Sequence, residues 1–403
     1  MAFVSTQPIE RALAYARAEL AYLRAADERV ASVDALLAEH PDSLAAWLLK
    51  VAKLVAAKDA SALPALAAAL AAAERLEAGA TSEQRAHLAA ARAWLAHAPL
   101  RAARIYTQIA ERAPHDLLAV RLAQSCWYFL GDRVRVRLVA ERALCRWSPA
   151  APGYDLALAM TAFGHAETGD GRGATALAER ALALEPRSPF ARHALAHGLA
   201  TQGRYVTAHR MLADSAPLWR VDGRMDTHTA WHRALFALRI GLRSSALATF
   251  DGELASASDA STCADATDLL WRLDLAGVET ESRWQPLAAA WVRHLTPGFW
   301  GFLDVLAGLA FHRAGWSNAA QALRRAIAES QTPEGTAATA AATRTALAAV
   351  EAYTHGDFAY ASLQLRTALP LLGGSVPQRE LLESTLVAAE QRAGSESQVA
   401  AAA

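Results

Sequence analysis

Net charge is the first thing this sequence lacks: forty Lys and Arg meet forty Asp and Glu over 403 residues. A chain with no excess of either sign has no field to recruit nucleic acid or an anionic membrane, and neither is expected as a partner. Cysteine is scarce, with only Cys126, Cys145 and Cys263 and no Cys-x-x-Cys pair. That usage fits reduced thiols serving as small core residues and offers no structural zinc motif. No apolar run reaches ~18 residues without a charge, so no transmembrane helix is expected. The opening "MAFVSTQPIERALAYARAEL" has no basic stretch leading into an apolar one. No secretory leader is expected, and the cytoplasm is the expected location. Alternating strand runs, Gly-x-Ser-x-Gly, a phosphate-cradling Gly-rich loop, a dinucleotide fingerprint and His-Glu-x-x-His are all missing. Each missing motif removes a familiar nucleophile, cofactor or metal site, so neither cofactor nor metal is expected.

Alanine fills much of the space left by these absences, within an apolar fraction of 53%. Small helix-favouring side chains suit closely packed helices rather than sheets. A turn residue, usually Gly, then recurs: His97, Gly131, Gly169, Gly203, Gly241, Gly277, Gly315 and Gly356, at spacings of 34, 38, 34, 38, 36, 38 and 41 residues. A small or β-branched residue follows most of them five positions later, as in "GRYVTA" and "GDFAYA". Glycine ends one helix in a left-handed conformation, and the small residue lets the next helix approach closely. The clearest unit is "YDLALAMTAFGHAETGDGRGATALAERALALEP", residues 154–186, whose Gly169, Ala174, Ala178, Ala181 and Pro186 stand where a tetratricopeptide repeat places them. The fold class expected is all-α, a right-handed superhelix of such helix-turn-helix repeats. Residues 1–95 read as a helical cap with degenerate repeats, 96–394 as the repeat array and 395–403 as a flexible tail.

Six of the thirteen histidines fall between positions 165 and 232. With each turn Gly set as position 15, His193 and His197 are positions 5 and 9 of one first helix, and His228 and His232 are positions 2 and 6 of the next. Those positions, with Arg121, Ser125, Phe163 and Trp271, are expected on a concave face, with Asp265, Asp268 and Asp304 on or beside it. A polar, titratable concavity is the usual mark of a ligand site. Three readings stay open for the paired histidines. They could pack against Trp231 and Trp271, or ligate a metal through the i,i+4 spacing that puts two ligands on one helix face, or do acid–base work beside a carboxylate. His209 falls on a second helix, away from them. "RVRVR" (133–137) reads as a solvated helix face, and Trp284, Trp291 and Trp300 as helix-packing residues.

The segments "HDLLAVRLAQSCWYFLGD" (115–132), "PGYDLALAMTAFGHAETGD" (152–170), "HALAHGLATQGR" (193–204), "HTAWHRALFALRIG" (228–241) and "DATDLLWRL" (265–273) stand in a telling order. Over about residues 80–320 the chain resembles the tetratricopeptide repeat protein 38 family, most specifically in the paired-histidine segments. The resemblance implies an all-helical repeat array and family-like positions at His193, His197, His228, His232, Asp265, Trp271, Arg272 and Asp304. It also marks departures. Gln124–Ser125 stand where the family has His–Asp, Ala230–Trp231–His232 where it has Trp–Trp–His, Arg239 near a family acidic residue, and Leu306 in place of a family His.

The function expected is therefore small-molecule binding on the concave face, with acid–base catalysis open. His193, His197, His228 and His232 would be acid–base groups oriented by Asp265 and Asp304, with Arg121 contacting an anion. Phe163 and Trp271 would form apolar walls, and Ser125, Trp231 and Asp268 further ligand contacts. The alternative is a scaffold that holds a peptide or partner protein in the groove.

Overall fold

The computed structural model describes residues 7–24, 32–220 and 225–402. All regular structure among them is helical, with twenty-two α-helices and no strand. The repeat register is visible in the backbone. Every turn residue singled out above has positive φ, from 55° at His97 to 87° at Gly169 and Gly356. After each turn the next amide reaches back five residues, as Asp170 N does to His165 O and Arg204 N to Leu199 O, both at 2.9 Å. That bond satisfies a carbonyl that the ending helix would otherwise leave open. Where Asp follows Gly, its side chain caps the second helix: Asp132 accepts from Arg135 N, Asp170 from Gly173 N and Asp357 from Tyr360 N. The residues five after the turn, among them Val136, Ala174, Ala208, Ala246 and Ala361, are fully buried. Ser282, five after Gly277, is exposed and marks the weakest repeat.

Among the described residues the chain divides into two compact units, those within 1–58, 62–127 and 132–229 forming one, and those within 59–61, 128–131 and 230–403 the other. In the first, antiparallel hairpins pair Ser82–Leu95 with Pro99–Arg112, Tyr154–Glu167 with Gly171–Leu184, and Pro189–Thr201 with Tyr205–Asp214. Leu44–Ala56 and Leu63–Glu74 already form such a pair in the region read as a cap. In the second unit, Ala260–Leu275 pairs with Glu281–His294, Gly301–Arg313 with Ser317–Glu329, and Ala337–Thr354 with Phe358–Ala368. The last helix, Val376–Ala402, packs on Phe358–Ala368 and Ala260–Leu275 and runs through residues 395–402 of the expected tail. Trp284 and Trp291 are fully buried in this unit, their indoles donating to Thr280 and Thr267 hydroxyls. No helix among the described residues is long and apolar enough to cross a membrane.

Glycine also decides how closely helices approach. A Cβ on Gly198 would lie 2.9 Å from the Thr175 backbone nitrogen and 3.0 Å from Ala174 Cβ. A backbone atom cannot swing aside, so overpacking costs about 1–3 kcal/mol. Against that stands the ~1 kcal/mol by which alanine favours a helix over glycine. Gly198→Ala is expected to lower stability and Gly198→Val to lower it further, measured as the midpoint of urea unfolding.

Candidate functional site

Three helices supply the candidate site, two of them through an i,i+4 pair that shares one helix face and the third through His228. Tyr154–Glu167 contributes Phe163 and Glu167, Pro189–Thr201 contributes His193 and His197, and Asp226–Arg239 carries His228 and His232. The start of the middle helix is fixed locally: Ser188 caps it through Ala191 N at 3.2 Å, and Pro189 occupies its first turn. The first helices of successive hairpins pack side by side. The last turn of Tyr154–Glu167 is thereby set against the centre of Pro189–Thr201.

This packing builds a chain of polar atoms inside the first unit. His197 Nδ1 lies 3.2 Å from Glu167 Oε1, with both side chains withdrawn from solvent. His197 Nε2 lies 3.0 Å from His193 Nε2. A carboxylate facing Nδ1 favours the tautomer with the proton on that nitrogen, which turns the Nε2 lone pair toward His193. The His228 ring follows, its centroid 5.1 Å from that of His193. One nitrogen from each of these three histidines falls within 4.8 Å of the others. His193 and His197 are buried, while His228 is half-buried and forms the exposed side of the group. Phe163 walls the site, its ring 6.0 Å from His193 and 5.3 Å from His197. Burial holds the His193 imidazole well below its ordinary pKa, and the neighbouring His197, His228 and Arg121 push the same way, so it is neutral at neutral pH. Arg121 lies with its guanidinium 4.5 Å from the centroid of the Phe190 ring, which itself stacks on His193. His232 follows His228 by one turn of the same helix, fully buried beside Trp231.

The other expected contacts have different surroundings. Ser125 accepts a hydrogen bond from Lys58 Nζ at 3.3 Å. In the second unit, Trp231 Nε1 donates to Asp268 Oδ1 at 3.1 Å, and Asp268 also holds Arg272 Nε at 2.8 Å. Burial pushes the Asp268 carboxyl up to about 6 despite that guanidinium. Trp271 donates to Thr385 Oγ1 at 2.8 Å and packs edge-on to Tyr353 and Trp284, so it is a core residue and not a groove wall. Asp265 is buried near Asp268, whose carboxyl it pushes up. Asp304 accepts the Gly298 amide on both oxygens at 3.2 Å. It also lines a cavity with Phe129, Trp300 and Thr343. Glu167 stands against a site imidazole although the sequence did not single it out, while Asp265 and Asp304, expected to orient the histidines, are both buried in the second unit. His193 and His197, expected on a concave face, are buried and face each other beside Glu167 of the adjacent first helix.

Two groups escape the sequence reading. Glu167 stands at position 13 of its repeat, outside the positions taken to face inward; its signal is the four-residue spacing from Phe163. The second is a buried acid–base group in the first unit, where His87 Nε2 lies 2.8 Å from Asp116 Oδ2. Burial, reinforced by the Asp116 charge, pushes Glu19 beside it up to about 7.

No protein-family model matches the chain. Among solved structures it is similar to a chain of the APC/C hetero-tetramer Cut9–Hcn1, at 14% identity over 79% of this chain and 59% of that one, with a TM-score of 0.41. It thus spans less than two thirds of that chain's length. It is also similar to a tetratricopeptide repeat protein from Parabacteroides merdae, at 15% identity over 68% of this chain and 99% of that one, with a TM-score of 0.37.

Proposed function

We propose that this helical-repeat protein binds a small anionic molecule at the imidazole group of His193, His197 and His228, where proton transfer by imidazole is the available chemistry. The observation that carries the reading is the chain Glu167–His197–His193, with successive atoms at 3.2 and 3.0 Å. A carboxylate that fixes one imidazole, and an imidazole that presents its lone pair to a second, is an arrangement for passing a proton. Shielding from water strengthens each of those interactions. Half-buried His228 is the side from which a ligand would enter, and Arg121 supplies the positive charge that favours a carboxylate there. The resemblance to the tetratricopeptide repeat protein 38 family points to the same histidines.

A panel of small carboxylic acids, screened by thermal shift, tests this. At least one is expected to raise the melting temperature of the wild-type protein and to lose that effect in His193→Ala and Arg121→Ala. The folded state of both variants would be checked by circular dichroism. A panel without effect, or with the same effect on both variants, sinks the reading. The second reading, a peptide-binding scaffold, is favoured by a groove of about 680 Å³ in the second unit lined by Gln321, Arg325, Arg344 and His355. An acidic peptide fits that lining, and Arg325→Glu with Arg344→Glu would abolish its capture.

A further inference from the structure

We propose that His193, His197 and His228 bind a divalent transition-metal ion, zinc by donor type, with the fourth position left to an exogenous ligand. This rests on the reading that the imidazole group is the functional site, and it names the site's resident ion. Imidazole nitrogens suit zinc, copper, nickel and iron, whereas magnesium and calcium require oxygen ligands. The three histidines offer nitrogens within 4.8 Å of one another. Two nitrogens bound at about 2.0–2.1 Å in a tetrahedral site stand roughly 3.3 Å apart. His193 Nε2 and His197 Nε2, at 3.0 Å, already lie near that separation.

Spacing and support agree with the donor set. His193 and His197 lie one turn apart, so their helix presents two imidazoles on one face. Glu167 against His197 Nδ1 is the outer carboxylate that orients a ligating histidine and raises its donor strength. Half-buried His228 leaves a path for the ion to enter. Neutral imidazole ligands leave the positive charge of a bound dication uncompensated within its own ligand set. An anionic ligand held by Arg121 would balance it, which ties the ion to the proposed small-molecule site.

The test uses the full chain with any polyhistidine tag removed. Elemental analysis after zinc loading and exhaustive dialysis is expected to give about one ion per chain, and cobalt substitution to give the visible bands of a four-coordinate centre. Competition with a zinc-sensitive dye is expected to show His193→Ala and His228→Ala weakened at least ~100-fold. Glu167→Gln keeps the side-chain shape and is expected to weaken binding by roughly 10–100-fold. His209→Ala, on the neighbouring Tyr205–Asp214 helix, is expected to bind like wild type. Less than a tenth of an ion per chain overturns the proposal, as does unchanged affinity in folded Glu167→Gln and His228→Ala proteins. Carboxylate binding lost in His193→Ala without any metal would sink this inference alone. Stoichiometric zinc with no carboxylate binding would leave it standing and sink the small-molecule reading.

Discussion

Trp231→Ala is expected to destabilise the protein by about 3–5 kcal/mol, the range for truncating a fully buried aromatic. The side chain has no exposure, and its loss leaves a cavity within a packed helical layer. It also removes the indole hydrogen that Asp268 accepts at 3.1 Å. Trp231→Phe separates the two effects. Most of the ring volume stays and only the donor goes, so the expected cost falls to about 1.5–3 kcal/mol, that of a hydrogen bond to a charged group. Urea unfolding followed by circular dichroism reads both variants. If Trp231 served only to contact a ligand, the alanine variant would stay within about 0.5 kcal/mol of wild type.

Asp304→Asn is expected to act in the opposite direction, stabilising the protein at neutral and alkaline pH. Burial pushes the Asp304 carboxyl up from 3.8 to about 7, and the two contacts from Gly298 N only partly offset it. An acid that holds its proton more tightly when folded favours the native state fully below about pH 4. That contribution is lost as pH rises toward 7, where the buried group must ionise. The gap corresponds to about 4 kcal/mol at full effect. Asparagine never ionises, and its carbonyl oxygen can still accept from Gly298 N. Stability measured from pH 4 to 8 should therefore fall less steeply in the variant, which becomes the more stable form above pH 7. Parallel profiles for the two proteins would show that Asp304 carries no such burden.

How much was legible follows the range of the interactions. The turns were readable because each is settled within six residues: glycine tolerates positive φ, aspartate caps the next helix and a small residue follows. His97 shows the same rule without glycine, since its neighbours Ala93 and Ala98 close the same backbone bond at 2.9 Å. The pairing of His193 with His197, and of His228 with His232, was readable from helical periodicity alone. Glu167 was not, because its partner lies thirty residues away and only the packing of two first helices joins them. Trp271 misled for a related reason. Its register was inferred from the weakest repeat, and the final helix brings Thr385 to its indole from 114 residues along the chain.

The sequence by itself determined an all-α chain of tetratricopeptide-like hairpins, where each turn falls and which histidines share a helix face. Those features depend on backbone geometry and on neighbours three to five residues apart. Only the tertiary structure decided that His193 and His197 are buried against each other and against Glu167. It alone brought Glu167 against His197, Thr385 to Trp271 and the Gly298 amide to Asp304. The reason is physical: a helix face has a direction along the chain, but what it meets is set by how closely helices distant in sequence can pack, and here glycine and alanine set that distance.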